Sequence, residues 1–281
     1  MLLKSIKRVI SRSIRNYIYQ SEGSSFCTKA NKIGRFVGFR TKLTWEDNES
    51  LYKVSDGNAC IYIPRKKRVR MHMAGVQKRL AFIKNEYLID DIPLADGDVV
   101  IDVGANIGEL SMALSAEKKL KIIAIEPEKE EVLALNRNLQ GSEVEIYDCA
   151  LWSSSDEIDF YSANDTGDSS VFQQFDHVQP LRRKAYSLDD LVEKSEILRD
   201  LGKIKLLKLE AEGAEPEILE GASGILQRIE YITADVGAER GMEKESTLIP
   251  VQSILMDAGY EPIKFGLPRA VMLFRNKRYL S

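Results

Sequence analysis

Acidic side chains occur at or next to the ends of four apolar runs: Asp102, Glu126, Asp148 and Glu210. If these runs are parallel strands, their carboxyl ends lie along the edge of the sheet where ligands of open α/β proteins bind. Carboxylates at that edge can accept hydrogen bonds from hydroxyl groups, balance a positive charge or remove a proton. The first hypothesis is therefore a site for a nucleoside-containing cofactor, with acid–base chemistry beside it.

The clearest part of this site surrounds a glycine turn. Residues 99–127 read VVIDVGANIGELSMALSAEKKLKIIAIEP, which predicts a strand, a turn, a helix and a second strand. Glycine in such a turn allows a ligand to approach the backbone closely. Glu126 ends the second strand 22 residues after Gly104, a spacing typical of the acid that binds ribose hydroxyls.

The glycine pattern separates two classes of cofactor. A nicotinamide oxidoreductase uses G-x-G-x-x-G, in which the third glycine lets the helix approach and the pyrophosphate settle on the turn. Here Gly104 and Gly108 match only G-x-x-x-G, so an NAD-dependent oxidoreductase is the less favoured alternative. Asp102 lies at the strand end and suits a cofactor that carries an ammonium and a carboxylate.

Four segments carry more specific information: VVIDVGANIGELS, IAIEPEKEEVLALNRNL, YSLDDL and LLKLEAEGAEPEILEGA. Over residues 87–275 the chain resembles the FkbM-like family of S-adenosylmethionine-dependent methyltransferases, which belong to class I. The resemblance implies a Rossmann-like, seven-stranded sheet, S-adenosyl-L-methionine as the methyl donor, and O-methylation. The acceptor it implies is a hydroxyl, most often of a sugar in a glycan, glycolipid or natural product.

Position by position, the resemblance implies that the glycine turn lines the methionine part of the cofactor. It implies that Glu126 holds the ribose and that Asp148 and Ala150 hold the adenine edge. The chain departs from the family at Glu210, where L-E-A-E-G replaces I-D-V-E-G and the carboxylate gains one methylene. The predicted cofactor-binding residues are Asp102, Gly104, Ala105, Asn106, Gly108, Glu126, Asp148 and Ala150.

Methyl transfer is an in-line displacement, so the enzyme positions the acceptor oxygen and a base removes its proton. Glu210 and Glu212 end the predicted fourth strand and are candidate catalytic residues. His177 is a third candidate, because it follows a polar loop at 162–175 that is typical of substrate contacts. No metal site is predicted, since no ligand spacing singles one out. A divalent ion held by Glu210, Glu212 and Asp235 stays open.

The charge of the chain is unevenly distributed. Its 281 residues carry a net charge of −3, but residues 1–95 hold 19 Lys and Arg against 8 Asp and Glu. This basic third predicts an anionic partner: a membrane, a phosphorylated substrate or the acidic domain itself. RNA or other nucleic-acid methylation is therefore the alternative function. Against it, the chain lacks an N-P-P-Y motif, and aromatic residues are not interleaved with the charges.

The basic third contains two features that could meet such a partner. Residues 2–19 predict a basic amphipathic helix, whose partner is an anionic membrane, its own domain or a second subunit, unless the helix is an organelle presequence. Residues 65–70 carry five positive charges, which indicate either a solvated face or a clamp for the phosphate of a nucleotide-linked or lipid-linked substrate. The three cysteines lack disulfide or zinc spacing, and no apolar run is long enough to span a bilayer. These features predict a cytoplasmic protein, with peripheral contact to the inner membrane surface left open.

The alternation of strands and helices predicts a doubly wound, mostly parallel α/β sheet of seven strands. A basic extension of helix, hairpin and helix precedes it, with the boundary placed near residue 95, between 1–95 and 96–281. Residues 20–42 have no clear period and predict a linker, residues 71–89 predict one helix, and residues 144–150 predict the third strand. The identity of the acceptor and the oligomeric state stay open at this stage.

Overall fold

The computed structural model describes residues 2–57, 59–162, 169–173, 179–199 and 202–280, and side chains from residue 8 onward. The N-terminal part forms a layer of helices packed around a small antiparallel sheet, in which β2 lies between β1 and β3. Its elements are α1 (Leu2–Tyr19), α2 (Gly23–Ile33), β1 (Lys42–Glu46), β2 (Leu51–Asp56), β3 (Ala59–Ile63), α3 (Lys66–His72) and α4 (Val76–Glu86).

The remaining described residues form further strands and helices. In chain order these elements are β4 (Val99–Val103), α5 (Glu109–Ser115), β5 (Lys121–Ile125), α6 (Lys129–Asn138), β6 (Val144–Tyr147), β7 (Ala150–Leu151), β8 (Asp156–Phe160), β9 (Leu181–Tyr186), α7 (Leu188–Lys194), β10 (Ile204–Leu209), α8 (Glu215–Glu220), β11 (Ile229–Asp235), β12 (Ala238–Arg240), β13 (Glu245–Ser246), α9 (Leu248–Asp257), β14 (Tyr260–Gly266) and β15 (Val271–Asn276). These strands and helices alternate except at β6–β9, β11–β13 and β14–β15.

Seven of these strands form the central sheet, in the order β14-β15-β11-β10-β4-β5-β6. The five strands from β11 to β6 are mutually parallel, and β15 runs antiparallel to both of its neighbours. The doubly wound, mostly parallel seven-stranded fold predicted from the sequence is confirmed. Because the strand order reverses between β4 and β10, the ligand crevice of such a sheet lies at the carboxyl ends of these two strands.

The sheet is covered on both faces. Alternate residues of β4 point in opposite directions, so Val99 and Ile101 pack on one face and Val100 on the other. Helices α7, α8 and α9 cover the first face, through residues such as Leu188, Ile218 and Leu255, whereas α4, α5 and α6 cover the second. The continuous burial of β4 and β11 follows from this arrangement, since a parallel sheet is apolar on both sides.

The N-terminal layer packs against the outer side of α5 and α6. Its own core forms around Phe26 of α2, whose ring meets Tyr52 edge to face at 5.4 Å, and it continues into Ile107 and Ala134. Asn138 fastens the two parts together, because its amide group bonds to both backbone groups of Tyr62 (2.7 and 2.9 Å) and to the carbonyl of Ile107 (2.8 Å). The division near residue 95 stays a prediction.

Three expectations about local structure are wrong. The segment predicted as a linker contains helix α2, in which Phe26, Cys27 and Ala30 recur at helical spacing and are buried against the N-terminal layer. The single helix expected at 71–89 is broken at Gly75, whose φ of 137° is incompatible with an α-helix. The predicted third strand at 144–150 divides into β6, in the central sheet, and β7, which joins β8 and β9 in a separate small sheet.

Candidate active site

The glycine turn follows β4 and contacts the segment that follows β10, its neighbour in the sheet. Gly104 has a φ of +69°, and a Cβ atom at this position would lie 2.0 Å from the carbonyl oxygen of Glu210. No other residue fits both the left-handed backbone and the contact. The turn after β4 and the segment after β10 are thus held against each other through the backbone.

The N–H groups of the turn are already used within the protein. Those of Gly104 and Ala105 both donate to the carbonyl of Ile125, each at 3.0 Å, and that of Gly108 donates to Ala105 at 2.8 Å. The N–H of Asn106 donates to Glu126 at 2.7 Å, and that of Ile107 to the Asn106 side chain at 3.0 Å. A phosphate cradle needs N–H groups that point at the ligand, so this turn does not suit a pyrophosphate.

Glu126 is a buried carboxylate at the end of β5. One oxygen accepts the N–H of Asn106 and the other accepts the N–H of Glu128 at 3.0 Å. Burial raises the pKa of Glu126 to about 7 in spite of these two hydrogen bonds. Each oxygen keeps a second lone pair for another donor. Glu126 is therefore held in place to accept hydrogen bonds from vicinal hydroxyls in the cavity.

A buried lysine lies beneath the turn. Lys208 is opposite Asp102 in the pairing of β10 with β4, and its Nζ lies 3.2 Å from Asp102 Oδ1. The same Nζ donates to the carbonyls of Val103 (2.8 Å) and Gly104 (2.7 Å). Burial lowers the pKa of Lys208, and the Asp102 carboxylate opposes that shift. Through these contacts with Asp102, Val103 and Gly104, the lysine of β10 holds the end of β4 and the start of the glycine turn.

Glu210 belongs to the same network. Its carboxylate accepts a hydrogen bond from the Tyr87 hydroxyl and forms ion pairs with Lys208 at 3.1 Å and with Arg269. Arg269 bridges from Glu210 to Asp235 at the end of β11. Burial raises the pKa of Asp235 to about 6. The arginine lies between these two carboxylates, so the arrangement does not leave them facing each other as metal ligands would.

Glu212 occupies the next turn, with an unusual backbone. Its φ is +50°, a value that costs energy for any residue with a Cβ. The buried carboxylate of Glu215 accepts the N–H groups of Ala211 (2.8 Å) and Gly213 (3.3 Å), on either side of it. The Ser170 hydroxyl donates to the carbonyl of Glu212 at 2.8 Å. These contacts fix the position of Glu212 at the cavity.

A cavity of about 550 Å³ collects these groups at the carboxyl edge of the sheet. Of the residues predicted from the sequence, it brings together Asp102, Gly104, Ala105, Asn106, Glu126, Ala150, Glu210 and Glu212. Gly108 lies outside its lining, where Leu135 would touch any added Cβ at 2.8 Å. Asp148 is exposed at the surface, and its neighbour Cys149 lines the cavity instead. His177 lies outside the described residues, so its role stays a prediction.

The sequence did not indicate several residues that line the cavity. Tyr87 and Arg269 come from segments distant in the chain, and Arg68 comes from α3 in the N-terminal layer. Arg68 donates to the side-chain oxygen of Asn106 at 3.1 Å, at the cofactor turn. For Lys208 a signal did exist, because a charged residue inside an otherwise apolar parallel strand is expected only where it has buried partners.

The basic residues at 65–70 make different contacts from one another. Arg65 is partly buried and pairs with Glu131, with one nitrogen–oxygen distance of 2.8 Å. Lys66 donates to the carbonyl of Tyr19 at 2.9 Å and pairs with Glu22. Arg68 turns to the cavity. The run is therefore not one continuous solvated face, and a phosphate-binding role for its members stays a prediction.

Comparison with known proteins identifies the family. The family model described as the methyltransferase FkbM domain matches residues 102–262, which is more than half of the chain. The chain belongs to the FkbM methyltransferase family. It is thus a methyltransferase, and its methyl donor is S-adenosylmethionine. The matched segment contains the glycine turn, Glu126, Lys208 and the turn that carries Glu212.

Solved structures with similar folds are distant from this methyltransferase. One is an S-adenosylmethionine-dependent methyltransferase from Aquifex aeolicus, with 15% identity over 71% of this chain and 97% of that one, and a TM-score of 0.41. A precorrin-6y C5,15-methyltransferase from Geobacter metallireducens shows 14% identity over 71% and 88%, with a TM-score of 0.39. A putative RNA methyltransferase from Pyrococcus horikoshii shows 15% over 74% and 85%, with a TM-score of 0.36. No curated protein matches the chain significantly.

The residues of the cavity fit S-adenosylmethionine. Asp102 and Glu210 place carboxylates beside the turn, which can accept hydrogen bonds from an ammonium in addition to their ion pairs with Lys208. Glu126 offers the oxygens that vicinal ribose hydroxyls need, and the guanidinium of Arg68 can pair with a carboxylate. The cavity is large enough for one cofactor molecule together with part of an acceptor.

Proposed function

We propose that this methyltransferase transfers the methyl group to a hydroxyl oxygen, and that the acceptor is a sugar of a glycan, glycolipid or natural product. One observation carries the proposal: Glu212 lines the same cavity as Glu126 and Gly104, the residues expected to bind the cofactor. A hydroxyl must lose its proton when its oxygen is methylated, and a carboxylate within reach can take that proton. The family resemblance in the glycine turn and the E-A-E-G segment supports a sugar hydroxyl.

The bound cofactor supplies an electrophilic methyl group on a sulfonium, and the chain supplies position and charge. Glu126 binds the ribose hydroxyls, and the Asp102–Lys208 pair holds the strand ends in register beneath them. Arg68 binds the carboxylate of the methionine part. These contacts fix the position of the methyl donor, so that only the acceptor oxygen has to be oriented for the reaction.

Glu212 acts as the general base, and Glu210 acts as a positioning group. The carboxylate of Glu210 accepts a hydrogen bond from the Tyr87 hydroxyl and pairs with Lys208 and Arg269, and these three partners fix its place. Glu212 lies at the cavity on a turn held open by Glu215 and Ser170. The backbone strain at Glu212 is consistent with a residue positioned for chemistry.

The free cysteines support a reducing compartment for this reaction. Cys27, Cys60 and Cys149 are all unpaired thiols, and two of them are buried. Disulfides form and persist mainly in oxidising environments. We therefore place the enzyme in the cytoplasm.

The first experiment tests the reaction itself. The protein is incubated with isotopically labelled S-adenosylmethionine and a panel of free, nucleotide-linked and lipid-linked sugars, with transfer RNA as a further acceptor. We expect a labelled sugar whose methyl group survives alkali, because ethers resist alkaline hydrolysis and methyl esters do not. Label in the RNA alone, or an alkali-labile product, would show that the acceptor class is wrong.

The second experiment tests the base. The Glu212→Gln variant should lose about 100-fold or more in kcat, while its affinity for S-adenosylmethionine stays unchanged. Glu243→Gln is the matched control, since Glu243 is an exposed carboxyl that does not line the cavity. If Glu212→Gln keeps the wild-type kcat while Glu210→Gln loses it at unchanged cofactor affinity, then Glu210 is the base.

A further inference from the structure

We propose that α1 docks this methyltransferase onto an anionic lipid surface. The inference starts from three large apolar side chains that the helix leaves exposed: Val9 (62%), Ile10 (52%) and Tyr17 (51%). Large apolar groups gathered on one helix, next to basic residues, are typical of helices that lie in the membrane interface. Within the helices that the structure describes, none is both long and apolar enough to cross a bilayer, so the contact is peripheral.

The helix packs on its own protein through a different side. Ile18 is fully buried and Ile14 is half-buried, and both pack on the N-terminal layer. Tyr17 precedes Ile18 by one residue and therefore projects about 100° away around the helix axis. Packing against the protein thus uses the C-terminal end of α1 and leaves Val9, Ile10 and Tyr17 exposed. Among the side chains that the structure describes, docking on its own domain therefore leaves these three apolar residues without cover.

The charge of the helix indicates an anionic partner. The first acidic residue of the chain is Glu22, after five Lys and Arg residues in 1–21. Arg8, Arg12 and Arg15 surround a concave patch together with Ser11 and Asn16. Guanidinium groups pair with phosphate through parallel hydrogen bonds, and hydroxyl and amide groups can add further ones. The patch suits the phosphodiester of a lipid headgroup.

The same charge argues against a second copy of this chain as the partner. In a twofold symmetric dimer the same patch meets itself. Arg8, Arg12 and Arg15 of one copy would then face the same residues of the other copy. Because α1 has no acidic residue to separate them, the contact would be electrostatically unfavourable. An anionic bilayer instead attracts each of these charges and covers the exposed apolar side chains at the same time.

The helix is also connected to the cavity. Lys66 at the start of α3 donates to the carbonyls of Tyr19 (2.9 Å) and Ser21 (3.1 Å), at the end of α1. Two residues later, Arg68 lines the cavity, as does Met71, which is itself 46% exposed. If the acceptor is lipid-linked, α3 would place the cavity rim beside the surface that presents it. This last step rests on the proposed function, whereas the docking of α1 does not.

The experiment measures binding to vesicles by co-sedimentation. Vesicles of phosphatidylcholine alone are compared with vesicles that also contain phosphatidylglycerol, at low and high salt. We expect binding to the anionic vesicles, weakened by salt, and reduced about tenfold or more in the double variant Arg8→Gln/Arg12→Gln. The matched control is Lys118→Gln/Lys119→Gln, which removes two exposed charges from the loop before β5 and should bind as the wild type.

A second variant tests the apolar contribution. Val9→Ser/Ile10→Ser changes only exposed side chains, so the fold should be kept, and vesicle binding should fall. Equal binding of the wild type to both kinds of vesicle would overturn the proposal. So would unchanged binding in both Arg8→Gln/Arg12→Gln and Val9→Ser/Ile10→Ser. A dimer that dissociates in Val9→Ser/Ile10→Ser, without vesicle binding by the wild type, would show that the occupant is a second copy. Affinity for S-adenosylmethionine should be the same in all variants, so failure here leaves the proposed function intact.

Discussion

The Glu126→Gln variant offers the sharpest test of the cofactor site, because the same substitution changes stability and binding in distinct ways. Burial raises the pKa of Glu126 from 4.5 to about 7. A folded-state pKa above the unfolded value means that the folded protein holds the proton more tightly. The contribution of Glu126 to stability is therefore fully present below pH 4.5 and is lost as the pH rises through about 7.

The size of the effect follows from the shift. The interval between 4.5 and about 7 corresponds to about 3 kcal/mol in the free energy of unfolding. Glutamine cannot ionise, so the variant lacks this loss. Urea unfolding at about pH 5 and about pH 8 should show that the wild type loses about 2.5 kcal/mol more between these conditions than Glu126→Gln does, since a small part of the effect is already lost at pH 5. Glu143→Gln, which changes an exposed carboxyl, should behave as the wild type.

The ligand used to measure binding is 5′-methylthioadenosine, which carries the ribose but no amino-acid part. Its affinity for the wild type should increase as the pH rises through about 7, because the ionised carboxylate is the better acceptor. In Glu126→Gln the affinity should fall about 100-fold, since two hydrogen bonds to a charged group are weakened. If the variant binds as tightly as the wild type, or unfolds with the same pH dependence, the assignment of the ribose to a buried Glu126 is refuted.

Three further predictions concern the surroundings of the site. Gly104→Ala should lower the free energy of unfolding by about 3 kcal/mol or more, against about 1 kcal/mol for Gly141→Ala, which has a similar φ but open space around it; equal losses in urea unfolding would contradict the close contact. Arg68→Met should weaken binding of S-adenosylmethionine about tenfold in calorimetry and leave that of the decarboxylated analogue unchanged; its exposed neighbour on α3 provides the control Arg70→Met, and an equal effect on both ligands would exclude a carboxylate contact. Asn138→Ala should cost about 3 kcal/mol, because three backbone groups lose their partner; a loss below about 1 kcal/mol would mean that water replaces the amide.

Much of the fold could be predicted because its signals are local. Apolar runs, the glycines of the turn and the Ser187 cap, whose side chain accepts the N–H of Asp190, all lie within a few residues of the structure they determine. Helix α2 was not predicted, because the rings that pack over Phe26, such as that of Tyr52, lie elsewhere in the chain. Phe26, Cys27 and Ala30 do recur at helical spacing, but they lie among small and polar residues such as Ser24 and Ser25.

The candidate site likewise contains residues that the local sequence indicates and residues that it does not. The turn from Gly104 to Gly108 and the acid at Glu126 follow one another at a fixed spacing, so the sequence indicates them. Tyr87 reaches Glu210 across 123 residues, and a lone tyrosine carries no sign of such a partner. The exposed position of Asp148 could not be predicted either, because it depends on how the chain passes from β6 in the central sheet to β7 in the separate small sheet.

The close approach of Gly104 to Glu210 has a consequence for second-site suppression. The atom that would meet a new Cβ is a backbone oxygen, which is present whatever side chain occupies position 210. No substitution at that neighbour can make room, so a defect at Gly104 should have no local suppressor. Revertants should restore glycine itself or stabilise the protein globally at a distant position.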